Sequence, residues 1–379
     1  MHDESSIQRQ WRRDQAFCPP YCPNPRCKNH FKHSARADFF AFHSVKVLKR
    51  FPYLSHRFRC LDCEKTFCPA SFQLHYRQKV WGLNEQIEFL HSIGASKRAI
   101  ARRIGHDEKL VRVRLKKMAR WSLLFHAKKV ESLPIQEPIV YDGLENFSFS
   151  QYDPNNVNHA VGKTSLFTYD FNFCPLNRKG RMSPRQRARK KALEKIHGPY
   201  PRDAIRTTTK RVFERLLKKT NHLTLFTDKH FQYRRVVEED LAKVEGKTIG
   251  HIKVSSKIHR NYKNHLFAVN NVDMQARHNL AAFKRETIAF SKHSVAMMDS
   301  FILYTTHRNY RRPKFWGTHR SDPLSAKKSP AMEVGVETKI LSFNEFYKER
   351  VMPTQVHLCD DWANQYNRYD PHSRRKILA

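Results

Sequence analysis

The chain has 379 residues, and its 71 Lys plus Arg against 35 Asp plus Glu leave a formal net charge of +36 at pH 7. An excess of this size is not neutralised within a fold, so a polyanionic partner is expected, nucleic acid ahead of an acidic membrane surface. No apolar run approaches the roughly 18 residues of a membrane span, and the polar start MHDESSIQRQWRRD lacks a signal-peptide core, which predicts a cytoplasmic protein of two or three domains.

Six of the eight cysteines lie between Cys18 and Cys68, while Cys174 and Cys359 stand apart. Clustered cysteines in a reducing compartment point to metal rather than disulfides. Two knuckles, FCPPYCPNPRCKNH from Phe17 and FRCLDCEKTFC from Phe58, flank a strand-rich insert over His43–Arg57. This is the pattern of a zinc ribbon, because Zn²⁺ takes four thiolate or imidazole ligands in a tetrahedron and each turn supplies two. Cys22, Cys27, Cys60 and Cys63 are the expected ligands, with Cys18, His30 and Cys68 as further candidates. A closed set of four makes the zinc structural rather than catalytic.

Asn84–Arg120 reads as three short helices. The first ends near Gly94. Ser96 caps a second bearing Ile100 and Ile104, which stops at Gly105, and Asp107 caps a third with Leu110, Val111 and Leu115. Ala101 and Gly105 supply the small residue and turn glycine of a helix-turn-helix. The third helix carries Lys109, Arg112, Arg114, Lys116 and Lys117, positive charge suited to a major groove. A basic helical hairpin with a solvated face is the plain alternative.

Trp121–Pro138 reads as a helix and a linker with two prolines, after which strands begin. Pro138–Phe149, Val157–Val161 and Ser165–Phe173 are three consecutive strands, followed by a basic stretch, Asn177–Lys195, expected as a solvated loop or a tracker of DNA phosphates. A helix over Asp203–Thr220, a buried strand His222–Thr227 ending at Asp228, a helix from about His230 and a strand near Ile249–Val254 complete an α/β pattern. Asn270–Lys292 then reads as a helix with Asp273 at its head and Arg277, Lys284 and Arg285 facing phosphates. Arg308–Arg312 and the tail from Pro313 read as peripheral.

Asp142 in the first strand, Asp228 at the end of a later one and Asp273 on a helix suit one chemistry. Phosphodiester cleavage or transfer must neutralise charge at phosphorus and activate a poor nucleophile, and a pair of Mg²⁺ ions (or Mn²⁺) does both. Such hard cations take oxygen ligands, so Asp is the right residue type. Asp142 would bridge two ions, with Asp228 and Asp273 holding one each. Local roles compete: Asp142 shaping a turn before Gly143, with Glu145 a rival ligand, Asp228 capping the next helix, and Asp273 or Asn270 capping its own.

The zinc-ribbon motifs, SKRAIARRIG, YDGLENF, LFTDKH and NNVDMQARHNLAAFKRETIAFSK together resemble bacterial insertion-sequence transposases of the DDE/DDD group with an N-terminal zinc ribbon, over residues ~17–310. The resemblance implies a ribonuclease-H-like catalytic domain at residues 126–312, preceded by a zinc ribbon (1–80) and a helix-turn-helix (81–125) and followed by an extension (313–379). It implies Asp142, Asp228 and Asp273 as catalytic acids, double-stranded element ends and target DNA as partners, a homo-oligomer on DNA, and a place at the bacterial nucleoid. The third acid is usually Glu in that group, and an Asp, one methylene shorter, needs its helix closer to the metals. A non-enzymatic DNA-binding regulator, or a nuclease or resolvase using the same carboxylates, are the competing functions.

Overall fold

The computed structural model describes residues 17–31, 39–49, 53–242, 244–284, 287–315, 327–348 and 350–370. The chain forms two compact units: Met1–Asn84 with Ser342–His357, and Glu85–Leu341 with Leu358–Ala379.

The first unit is a small antiparallel sheet. Strand β1 (Phe40–Val47) pairs with β2 (Leu54–Cys60), which pairs on its other edge with β3 (Thr66–Phe67). So short a sheet buries little aliphatic surface. Its core is aromatic instead, Tyr21, Phe39, Phe58, Phe67 and Phe72 packed around Cys22, Cys27 and Cys60. The segment from Ser342 to His357 completes it. Met352 packs on the core, Arg350 Nη1 donates to Ser71 O at 2.9 Å, and Gln355 Nε2 donates to His30 O at 2.7 Å.

The second unit begins with helices α1 (Asn84–Ser92), α2 (Lys97–Ile104) and α3 (Glu108–Val130). Ser96 caps α2 as expected, its hydroxyl accepting from Ala99 N, and Gly105 ends it in the left-handed region at φ 67°. Asp107 stands at the N-cap of α3 but its side chain makes no capping hydrogen bond. Helix α3 runs 23 residues without a break, so Trp121 lies inside it rather than opening a separate helix. Leu115, Met118, Trp121, Leu123, Leu124 and Ala127 are all buried, which anchors its second half in the core.

A five-stranded mixed sheet follows. Strands β4 (Ile139–Phe147), β5 (Pro154–Gly162) and β6 (Thr168–Pro175) form an antiparallel meander. Helix α4 (Pro184–His197) and helix α5 (Ala204–Leu217) lead to β7 (His222–Asp228), parallel to β4. Helix α6 (Phe231–Arg235) leads to β8 (Thr248–Val254), parallel to β7. The strand order is β6-β5-β4-β7-β8. Helices α7 (Phe267–Asn279) and α8 (Ser294–Tyr310) come next, and α9 (Asp360–Asn367) is the last helix among the described residues.

Helices cover both faces of the sheet. On one face Tyr141 meets Phe213 of α5, and Asn158 Nδ2 donates to Thr208 Oγ1 at 3.0 Å. On the other, His159 meets Phe301 of α8 with the rings tilted and contacts Asp273 of α7. Neighbours on β5 thus point to opposite layers, the period-2 alternation of a strand, and double coverage explains why β5 is buried almost throughout.

Two expectations change. From Pro184 the basic stretch is helix rather than loop: Ser183 and Gln186 form a capping box, Pro184 sits in the first turn, and α4 follows with none of its residues buried. Arg308 is not peripheral. It is 3% exposed, with Nη1 on Leu166 O at 2.5 Å and Nη2 on Asn271 Oδ1 at 3.1 Å, inside a helix whose Met297–Thr306 run is wholly buried. Among the described residues, no helix is long and apolar enough to cross a membrane.

Candidate metal centre and acidic site

The four expected cysteines meet. Cys22 Sγ lies 3.6 Å from Cys63 Sγ and Cys27 Sγ 3.7 Å from Cys60 Sγ, and all four sulfurs are within 4.8 Å of one another. A tetrahedron with Zn–S of about 2.3 Å has edges of about 3.8 Å, so the donor set and its spacing fit a structural Zn²⁺. Turn hydrogen bonds shape both knuckles: Cys27 N to Asn24 O at 3.0 Å and Glu64 N to Cys60 O at 3.0 Å, with Glu64 at φ 57°. Asn29 Nδ2 approaches Cys27 Sγ at 3.8 Å and Cys60 Sγ at 3.9 Å, donors that favour thiolate over thiol. Burial raises the Cys63 thiol, but the Asn24 side chain, the Lys65 N–H and the neighbouring cysteines outweigh it and bring it down to about 7.

The further candidates stand outside the cluster. Cys18 is exposed, Cys68 Sγ contacts Ser71 Oγ at 3.5 Å, and His30 commits both ring nitrogens elsewhere, to Cys22 O at 2.8 Å and Thr354 Oγ1 at 2.6 Å.

In the second unit, register brings Asp142 and Asp228 toward each other. Val140 pairs with Phe226 across the parallel β4–β7 ladder, so two residues on, Asp142 and Asp228 occupy equivalent positions on adjoining strands. Asp142 also pairs with His159 on β5, which puts both on the α7 side of the sheet. Asp273 approaches from α7 with Oδ1 3.2 Å from His159 Nε2, although the alignment leaves both atoms short of a hydrogen bond.

The electrostatics register the convergence. Burial, then Asp273, then Asp228 push the Asp142 carboxyl up from 3.8 to about 7, against the Gly143 N–H and His159. For His159, burial is the largest influence and lowers the imidazole pKa, but Asp273, the Val157 carbonyl and Asp142 together outweigh it, and the net direction is upward. Its Nδ1 lies 3.1 Å from Val157 O, the arrangement of a ring pinned by one N–H with the other nitrogen on a carboxylate. Among the described residues the four cysteines are the one group of three or more ligands whose donor atoms all lie within 4.8 Å, so the aspartates form a looser cluster than the thiols do.

Each local role proposed for the acids has a definite outcome. Asp142 Oδ1 accepts from Gly143 N at 2.7 Å, and a Cβ on Gly143 would stand 2.6 Å from Asn156 Nδ2, so any side chain there would have to displace the Asn156 amide. Asp228 Oδ1 accepts from His230 N at 2.9 Å, a turn contact that leaves His230 as the cap of α6. Asp273 is not at a helix head: α7 starts at Phe267 and ends at Asn279, which places Asp273 mid-helix and removes Asn270 as a cap. Asn264 explains the earlier start, its Oδ1 accepting from Leu266 N at 2.8 Å. The helix expected to run to Lys292 thus stops short of Thr287–Phe290, where Ile288 is 93% exposed.

Cations expected at DNA divide. Lys109 and Arg112 are exposed on α3, and Lys116 is half-buried one turn further on. Arg114 is 4% exposed and points into the core, because the face opposite Arg112 is the one α3 buries. Arg277 Nη2 donates to Glu145 O at 2.7 Å. Lys284 is exposed, and Arg285 lies outside the described residues.

Asp142, Glu145, Asp228, His230 and Tyr233 line a groove of about 1280 Å³ together with Arg178, Lys179, Lys190 and Arg202. That exceeds the roughly 300–1,000 Å³ of small-molecule pockets. Residue patterns alone do not place His159 at the acids and give no sign of Tyr233; the steric demand for Gly143 has its signal in the DG dipeptide of YDGLENF. Comparison with known proteins yields no match to a family model and none to a curated relative.

Proposed function

We propose that the second unit is a ribonuclease-H-like domain and that the chain is a DNA transposase, cutting element ends and joining them to target DNA with Asp142, Asp228 and Asp273 as its acids. The observation that carries this is the nearness of the three carboxylates from β4, β7 and α7, felt by Asp142 as a carboxyl raised to about 7 by burial, Asp273 and Asp228, with Asp142 and Asp228 lining a groove that also carries cations. In a chain of charge +36, concentrated negative charge at one point needs a reason, and metal binding is the simplest one. The sheet supports the fold reading: an antiparallel meander whose first strand is central, flanked by two parallel strands in the order 3-2-1-4-5.

Mg²⁺ or Mn²⁺ held by these oxygens supplies charge neutralisation at phosphorus and activation of the attacking hydroxyl. The chain's own residues do the rest. The Gly143 N–H and the His230 N–H each fix one carboxylate oxygen, and His159 places its Nε2 3.2 Å from Asp273 Oδ1. Lys109 and Arg112 on α3 supply phosphate contacts for recognising element ends, with the four-cysteine unit beside them in sequence as a second DNA-reading module. Assembly of two copies on two DNA ends belongs to the same reading.

The test is Mg²⁺- or Mn²⁺-dependent nicking and joining of an inverted-repeat oligonucleotide, comparing wild type with Asp142→Asn, Asp228→Asn and Asp273→Asn. Loss of activity in all three with DNA binding intact supports the reading. Activity that survives the substitutions overturns the assignment of the acids. Tight, site-specific binding by a wild type that acts on no DNA end favours a regulator.

A further inference from the structure

Where the β4–β5 hairpin turns, a pocket of about 320 Å³ opens, near the lower end of ordinary ligand sites. Pro154 lines both this pocket and the carboxylate groove, so the two are neighbours. Its walls include Phe149, Tyr152, Phe173, Leu193 and Tyr200. An apolar solute would meet polar atoms inside, however. Asn155 is 1% exposed, its Nδ2 donates to Ser148 Oγ at 3.1 Å and Asp153 O at 3.3 Å, and its Oδ1 has no hydrogen-bond partner among the described residues. The buried Nδ1 of His197, also on the pocket wall, lacks one too. Two orphaned polar atoms in one aromatic pocket call for a ligand that is flat and carries hydrogen-bonding edges.

Charge narrows the choice. Arg189 and Lys292 stand exposed at the rim. Two carboxylates also face the space, Asp153 accepting from the Tyr200 hydroxyl at 3.2 Å and Asp370 accepting from Ser294 Oγ. Their charge disfavours a phosphate inside the pocket, while the rim cations favour one just outside.

We infer that this pocket receives one unpaired nucleobase of the DNA lying in the carboxylate groove, stacked against the aromatic wall, with Asn155 Oδ1 accepting a base N–H and the adjoining phosphate held by Arg189 and Lys292. The inference rests on the DNA-acting reading above. Strand β4 continues from Asp142 to Phe147, about 17 Å at the rise of a strand and about five base-pair steps at 3.4 Å each. The unpaired base therefore lies within about five nucleotides of the reacting phosphate.

The experiment measures binding of the full chain, by fluorescence anisotropy, to a labelled duplex and to the same duplex with a single unpaired thymine. Wild type is expected to bind the second at least about fivefold more tightly, the low end of base–aromatic stacking. Phe149→Ala, at a half-exposed position, and Asn155→Leu are expected to erase that preference while leaving affinity for the paired duplex unchanged. A wild type that binds both duplexes equally overturns the inference, as does a preference that survives Phe149→Ala. Failure to bind either duplex instead removes the DNA-acting reading and this inference with it.

Discussion

Asp142→Asn is expected to stabilise the protein while removing its chemistry. Burial and the charges of Asp273 and Asp228 raise the Asp142 carboxyl from 3.8 to about 7. Between those values the native state holds a proton that the unfolded chain has released, so stability falls as pH rises through the window and is lowest, and flat, above 7. At 1.36 kcal/mol per unit the full penalty is about 4 kcal/mol. Water in the groove screens part of it, and about 2 kcal/mol is the expected gain on neutralising the side chain. Asn keeps the acceptor for the Gly143 N–H, so little else changes. For a unit of this size the melting temperature should rise about 4–8 °C at pH 8, read by thermal unfolding in buffer free of divalent cations. At pH 5 the difference should shrink by more than half. Added Mg²⁺ should stabilise wild type and not the variant. A variant no more stable than wild type at pH 8, or a gain that is the same at pH 5, refutes the claim that the three acids share one field.

Three more outcomes follow from the same geometry. Cys60→Ser should abolish retention of one Zn²⁺ per chain, measured by metal analysis, and unfold the first unit, since structural zinc contributes about 10–16 kcal/mol and the core around it is small. Asp170→Asn should cost about 3–5 kcal/mol in denaturant unfolding, because Arg215 meets Asp170 at 2.6 Å inside the protein and would keep an incompletely compensated charge. Lys109→Ala and Arg112→Ala should each lower the salt slope of DNA binding by about 1 and leave stability unchanged, whereas Arg114→Ala should lower stability and leave the slope as it was.

What could be read from residues alone was local. Ser96 and Gly105 announce a helix because a cap and a left-handed stop act within one turn, and strands β4 to β8 were found to within a few residues because apolar runs bounded by turns declare themselves. The knuckles were legible for the same reason: two Cys on a turn carry their geometry with them. What failed was long-range. Helix α8 carries no amphipathic signature because Asp299, Arg308 and Asn309 are polar yet buried, Arg308 and Asn309 satisfied by Leu166 O and Thr168 O some 140 residues away. Arg114 read as a DNA contact because composition does not say which face of α3 is covered. The head of α7 lies ahead of its apolar pattern because the Asn264 side chain, whose Oδ1 accepts from Leu266 N, precedes that pattern.

The division into units adds a constraint on folding that no motif suggests. The first unit is left by the chain at Asn84 and rejoined at Ser342, so its last contacts must be made across more than two hundred intervening residues. Closing so long a loop costs only logarithmically more than a short one, and the contacts that close it are specific: Met352 on the aromatic core, Arg350 on Ser71 O and Gln355 on His30 O. His30 is also the residue whose other bonds tie the first knuckle to Thr354. The metal cluster needs only residues before Cys68, while the wall around it needs residues near the other end of the chain. Zinc binding should therefore precede completion of the unit, and truncation before Ser342 should leave a protein that still takes up zinc with an exposed aromatic core.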